Sequence, residues 1–219
     1  MRWWVADYYN VMGPAYVLSW VVWVLGSIIL HELAHGWAAI RCGDRTPIEL
    51  GRTTFNPLVH MSGMSLLMFA AVGIAWGVMP IDPSRFRRRT DDAFVAFAGP
   101  GMNLILAFSA LILGSLWIAH AEQFVPGQAY NNLKDFFVMG VKLNLVLMAF
   151  NLLPIPPLDG STILATYSEG YRRLRNSPNF GTIGLVIFLV VFFRLFPYIW
   201  SAARETTDVA FNLLLGVLR

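Results

Sequence analysis

Polar positions are scarce along this chain and fall in bunches, which leaves apolar runs at about 14–40, 62–80, 93–120, 137–160 and 181–200. Each is near or above the roughly 20 residues a helix needs to cross a hydrocarbon core, so the pattern predicts an all-α polytopic membrane protein. Ahead of the first run, Trp3, Trp4, Tyr8 and Tyr9 are expected at a membrane interface, and Pro14 suits the first turn of the helix that follows. Past the fifth run, Glu205 and Asp208 oppose Val209, Phe211, Leu214 and Leu215, which predicts a separate amphipathic helix over about 203–218 lying on the surface. Residues 45–55 instead carry a β-like alternation (Thr46, Ile48, Leu50, Thr53, Phe55) broken by Pro47 and Gly51. A short membrane-associated hairpin or edge strand fits this stretch, and an ordinary connecting loop fits it as well.

Composition narrows the class. The 219 residues are 57% hydrophobic and 13% charged, against roughly 25% charged in a soluble domain. With no internal repeat or long hydrophilic insert, residues 1–219 are expected to form one membrane-embedded domain, its core at about 15–170 and its C-terminal helices at 181–218. Any accessory module would come from another chain, such as an accessory membrane protein. The first run is too long for a signal-peptide core and lacks a small-residue cleavage site, so it is expected to be retained. Cys42 is the only cysteine, which rules out an intrachain disulfide and a cysteine-held metal site. The net charge of +3 sits mostly in arginines bunched between apolar runs, pointing to topology and lipid headgroups and not to nucleic acid.

Those arginines constrain the threading. Arg41, Arg45 and Arg52 follow the first run, Arg85, Arg87, Arg88 and Arg89 the second, and Arg172, Arg173 and Arg175 the fourth. Positively charged connections stay cytoplasmic, so the second run cannot cross fully without separating the first two clusters. It is therefore expected to enter the membrane and return, with Gly73, Gly77 and Pro80 supplying the bend. Four full crossings remain, with the N-terminus outside.

Within the first run stands His31-Glu32-Leu-Ala-His35. Residues four apart share a helix face, so two imidazoles can hold one Zn²⁺ while Glu32 takes a proton from water at the metal. A catalytic zinc site needs a third protein ligand. His60, His120, Asp82, Asp91, Asp92 and Asp159 are the candidates. Asp159 is the strongest, because it ends the fourth run in a stretch where Pro154, Pro156 and Pro157 deny a regular helix, and broken backbone at membrane depth is costly unless it lines a site. His31 lies about nine residues, or ~13 Å, before the end of the first run. Under the four-crossing topology the first and fourth runs share a direction, so Asp159 reaches the same side.

His31-Glu32-x-x-His35, Gly99-Pro100-Gly-Met-Asn103 and Asn151-x-x-Pro154-x-Pro156-x-x-Asp159-Gly160 occur in the order seen in the site-2 protease family of intramembrane zinc metalloproteases. The chain resembles a compact bacterial or archaeal member without a PDZ domain, over about residues 15–170 and including Gly51-Arg52-x-x-Phe-Asn56-Pro57-x-x-His60. The resemblance implies cleavage of a single-pass substrate's transmembrane helix inside the bilayer, one Zn²⁺ per chain on His31, His35 and Asp159, and Glu32 as catalytic base. It further implies that Asn151 faces the site to hold substrate backbone or an oxyanion; the arginine-based topology adds the expectation that the active site lies toward the cytoplasmic side of the cell membrane. The chain departs from short members at His60-Met61-Ser62-Gly63, where an acidic residue and proline often follow the histidine, and at Trp76-Gly77-Val78-Met79-Pro80, where a lysine often follows tryptophan and alanine.

The remaining polar residues of the runs have plainer readings. Asn103 and Asn144 fit interhelical hydrogen bonding, His60 a structural role and His120 a solvated helix end. Two other functions compete: a divalent-cation transporter using the same side chains as a transit site, which gives no reason for a glutamate between the histidines, and a non-catalytic membrane subunit that uses the fold as a scaffold.

Overall fold

The structure, a computed structural model, describes residues 4–125, 127–178 and 180–218. Trp3 and the side chain of Trp4, assigned above to an interfacial belt, lie outside what it describes. Helix α1 (Trp4–Met12) leads into α2 (Pro14–Cys42), which starts on Pro14. Short helices α3 (Thr46–Glu49), α4 (Pro57–His60) and α5 (Gly63–Val72) precede α6 (Asp91–His120) and α7 (Gln128–Asn151), and α8 (Asp159–Tyr167), α9 (Glu169–Arg175) and α10 (Phe180–Leu218) complete the chain. Helices α2, α6 and α10 are long and apolar enough to cross a membrane. The fourth long helix, α7, has 24 residues, but Lys134, Asp135 and Lys142 break its apolar run.

These four helices pack as an alternating bundle whose directions follow from their contacts. His35 meets Val95 and His31 meets Asn103, so α2 and α6 are antiparallel. Asn103 meets Asn144 while Trp117 meets Tyr130, so α6 and α7 are antiparallel. Consequently α2 and α7 share a direction, with Val24 and Ile28 packed on Leu143. Helix α10 returns along both partners, placing Ala203 against Val146 and Phe150, and Phe211 against Ala110 and Val141.

The arginine clusters gather at one end. Arg87 N–H donates to the Cys42 carbonyl at the foot of α2 (3.2 Å), and Glu169 of α9 pairs with Arg89, Arg172 and Arg173. Gly43 closes α2 in the left-handed region (φ 112°), where a side chain would be strained. Next to it, the fully buried Asp44 accepts the Thr46 N–H (2.9 Å), the Thr46 hydroxyl (2.5 Å) and the Asp82 N–H (2.8 Å). Burial pushes its carboxyl up, but the hydrogen bonds outweigh this and hold it below the usual carboxylate range.

Between residues 60 and 82 the chain goes out and comes back. Helix α5, too short to cross, ends on Gly73 (φ 80°), and an extended stretch returns so that Val78 N–H donates to the His60 carbonyl at 2.9 Å. Ser65 ties the two limbs, donating to the Trp76 carbonyl (2.6 Å) and accepting its N–H (2.9 Å).

Two expectations are corrected. The β-like hairpin over 45–55 is replaced by the single turn of α3 and bends, and no strand occurs among the described residues. Asp44 offers its carboxylate to the start of that turn and Pro47 sits in its first positions, both of which favour helix. Ile48, Leu50 and Phe55 are 45%, 57% and 67% exposed, so the alternation does not mark a buried face. The separate surface helix over 203–218 is the continuation of α10, 39 residues in all with Pro197 inside. Ala203, Thr207 and Phe211 recur every four residues and bury one continuous stripe.

Candidate metal centre

Helix α2 sets two imidazoles one turn apart on its buried face, and the structure brings Asp159 to them. His31 Nε2 lies 3.0 Å from His35 Nε2, Asp159 Oδ2 lies 3.2 Å from His31 Nε2, and Asp159 Oδ1 lies 3.4 Å from His35 Nε2. Among the described residues this is the group of histidine and carboxylate side chains that could hold a metal ion. Asp159 opens α8 and does not close the preceding helix, because α7 stops at Asn151 before the prolines. Gly160 lets this hairpin close, since a Cβ there would lie 2.2 Å from the Leu152 carbonyl oxygen. Tyr171 of α9 braces it, donating its hydroxyl to the Pro154 carbonyl (2.9 Å).

The outer nitrogen of each ring is anchored. His35 Nδ1 meets the Val95 carbonyl at 2.7 Å, and His31 Nδ1 meets Asn103 Oδ1 at 2.7 Å. A backbone carbonyl only accepts, so His35 carries its proton on Nδ1 and turns a lone pair inward. Asn103 in turn donates to Asn144 Oδ1 (3.0 Å), and Asn144 to the Gly140 carbonyl (2.9 Å). Asp159 Oδ2 is buried without a hydrogen-bond partner. Lone pairs facing one another at 3.0 Å beside a carboxylate repel or waste their hydrogen-bonding capacity unless a cation lies among them. A tetrahedral zinc with bonds of about 2.0–2.2 Å separates its ligand atoms by about 3.3–3.6 Å, close to the observed triangle. The donor set therefore fits zinc.

Two glycines make room. A Cβ on Gly99 would lie 2.3 Å from His35 Nε2 and 2.5 Å from His31 Nε2, and one on Gly77 would lie 2.7 Å from Glu32 Oε1. Glu32 itself is buried on α2, under the returning limb of the α5 loop. The Gly99-Pro100-x-x-Asn103 stretch thus has a physical meaning: four residues apart, one position leaves space at the ring nitrogens and the other anchors an imidazole.

The other sequence candidates lie elsewhere. His60 is buried with Nε2 against the Thr54 carbonyl (2.6 Å), His120 is exposed at the end of α6, and Asp82, Asp91 and Asp92 are outside the ligand group. Asn151, the last residue of α7, donates its amide back to the Leu147 carbonyl (2.9 Å). Sequence reasoning gave Asn103 and Asn144 to general interhelical bonding and missed that they end on His31. Asn103 stands in a motif, but its partner is 72 residues away, and nothing local reveals which imidazole it meets.

Comparison with known proteins agrees with this chemistry. The sequence model of peptidase family M50 matches residues 19–195. Three similar proteins each carry the name "Putative zinc metalloprotease". YwhC of Bacillus subtilis is 35% identical over 78% of this chain and 78% of its own length. MJ0611 of Methanocaldococcus jannaschii is 30% identical over 73% and 75%, and Rip2 of Mycolicibacterium smegmatis is 29% identical over 87% and 74%. No solved structure matches.

Proposed function

Given that the chain belongs to peptidase family M50, the site-2 protease family, and is a membrane zinc metalloprotease, we propose that it is an intramembrane endopeptidase that cleaves the transmembrane segment of a single-pass protein. The observation that carries this is the triangle of His31 Nε2, His35 Nε2 and Asp159 oxygens, 3.0–3.4 Å on a side, built into apolar helices. Zinc held by these three residues supplies, when bound, Lewis acidity that polarises a scissile carbonyl and acidifies water.

The chain's own groups do the rest. Glu32 takes the proton as water oxygen bonds to the carbonyl carbon, then delivers it to the leaving amine nitrogen as the C–N bond breaks. Asn151 holds substrate backbone or the oxyanion by its amide, turning from Leu147 to do so. Helix α7, about 36 Å long, serves as the fourth crossing, its polar residues turned toward neighbouring helices or the interface. The arginine-bearing end faces the cytoplasm, and the bacterial and archaeal relatives support a cell-membrane location.

The test is a purified chain in nanodiscs with a single-pass substrate. Glu32→Gln is expected to keep zinc and lose cleavage. Undiminished cleavage by that variant removes Glu32 as base, and cleavage confined to soluble peptides removes the intramembrane reading.

A further inference from the structure

The two imidazoles are fixed by different means. For His35 the partner is a backbone carbonyl, which leaves one choice of tautomer. For His31 the partner is a side-chain amide, and an amide can present either its oxygen or its NH₂. With the NH₂ turned toward it, His31 Nδ1 would become the acceptor, the ring proton would move to Nε2, and that nitrogen would have no lone pair for a metal.

What decides the direction lies three links away. The Gly140 carbonyl accepts only, so the Asn144 group facing it at 2.9 Å is the NH₂. Asn144 Oδ1 then faces Asn103 at 3.0 Å and requires the Asn103 NH₂ there. That leaves Asn103 Oδ1 toward His31 at 2.7 Å, so His31 donates from Nδ1 and keeps Nε2 free. Asn103 and Asn144 are fully buried, with no solvent to satisfy a reversed amide. The anchor is itself held: Trp23 covers Gly140 so closely that a Cβ would lie 2.2 Å from its ring, and Trp23 Nε1 donates to the Phe136 carbonyl at 2.8 Å.

We propose that Asn144, whose side chain hydrogen-bonds Asn103 and the Gly140 carbonyl, is a positioning residue that sets the tautomer of His31 through Asn103. This inference rests on the zinc reading of His31, His35 and Asp159. It gives α7 a role in the centre through a relay that crosses from α7 to α6 to α2.

The experiment uses the full chain in nanodiscs, with zinc affinity read by chelator competition. Asn144→Leu removes the anchor while keeping volume, and zinc affinity is expected to fall by about 10–100-fold, the usual cost of losing a group that orients a metal-bound histidine. Asn103→Asp presents an acceptor to His31 in either orientation, so Asn103→Asp/Asn144→Leu is expected to recover affinity to within about threefold of wild type. Merely structural damage would not be repaired by that second change. Unchanged affinity in Asn144→Leu, or no recovery in the double variant, overturns the proposal. Histidine-selective ¹⁵N NMR of the metal-free wild type reads the tautomer without any variant: a proton on His31 Nδ1 is expected, and an unprotonated Nδ1 overturns the proposal whether or not the variants fold. If wild type binds zinc with no dependence on His31, the underlying zinc reading fails instead.

Discussion

One methyl group at Gly99 is expected to empty the metal centre while the fold stands. A Cβ there would lie 2.3 Å from His35 Nε2, 2.5 Å from His31 Nε2 and 2.6 Å from His31 Cε1, where ordinary contact begins at 3.4 Å. Those separations approach a zinc–nitrogen bond of about 2.0–2.1 Å, so the methyl claims the volume the ion needs. Neither ring can swing aside freely, because each Nδ1 is tied at 2.7 Å. Relieving an overlap of about 1 Å by moving the rings or the α6 backbone displaces the ligands by a distance that costs about 100-fold in a positioned reaction. The helix itself gains from the change, since alanine is about 0.5–1 kcal/mol better than glycine in a helix interior. Gly99→Ala should therefore show unchanged helicity, a metal-free thermal midpoint no lower than that of metal-free wild type, zinc content reduced to a small fraction of an ion per chain, and no cleavage. Elemental analysis after desalting, chelator competition and circular dichroism measure these in one preparation. Gly101→Ala is the control, its Cβ meeting only the Phe97 ring at 3.5 and 3.8 Å. Wild-type zinc affinity in Gly99→Ala, or equal zinc loss in Gly101→Ala, would refute the reasoning.

Gly77→Ala separates the proposed base from the proposed metal ligands: its Cβ would lie 2.5 Å from Glu32 Cγ, so zinc is expected to stay while kcat falls toward the factor of about 10²–10⁴ that a general base contributes, and loss of zinc from that variant would count against the assignment. Because hydrogen bonds hold the Asp44 carboxyl below its usual range, its stabilisation is full above about pH 4 and lost as pH falls through the folded-state value. Asp44→Asn, which turns an NH₂ on one of its donors, should be less stable at pH 7 by about 1–3 kcal/mol and lose less on acidification, as followed by thermal unfolding across pH; parallel acid curves would refute it. In a Cys42→Ser background, Gln123→Cys should react with an impermeant maleimide from outside intact cells and Arg88→Cys only after permeabilisation; the reverse pattern inverts the topology.

The readable parts of this protein were those fixed by short-range spacing or by charge. Four-residue spacing put His31 and His35 on one face, and prolines marked Asp159 as a break worth its cost in lipid. Bunched arginines forced the second apolar run to return, and the structure shows that return along with the three clusters at one end. What stayed hidden depends on partners distant in sequence. The turn at α3 is set by Asp44, whose other oxygen is taken by Asp82, 38 residues on. The continuity of α10 past Pro197 depends on the stripe it buries against α6 and α7, which proline propensity alone cannot anticipate. Gly77 and Gly99 carry no chemistry of their own and are legible only as spaces once Glu32 and the imidazoles lie beside them.

The helix directions also favour one end as the route for water in the proposed reaction. Peptide hydrolysis consumes a water molecule for each bond cut, and none is freely available within a hydrocarbon core. His35 lies seven residues before the end of α2 at Cys42, about 10 Å along the axis, whereas His31 lies seventeen residues beyond Pro14, about 25 Å from the other end. The shorter route ends among Asp44, Asp82, Arg85 and Glu49, a polar belt already linked by hydrogen bonds and ion pairs. The longer one runs past Val24, Ile28, Leu143 and the Trp20 and Trp23 rings. Asp159 opens α8 just beyond the end of α7, and α7 runs in the direction of α2, so the proposed third ligand approaches from the more polar end as well. A full crossing by α5 would have reversed every later helix and delivered that carboxylate to the opposite face, out of reach of both imidazoles. The returning loop is thus what allows the proposed ligands, 124 to 128 residues apart, to meet on one side, and its glycine at position 77 is what lets it lie against the glutamate between the two histidines.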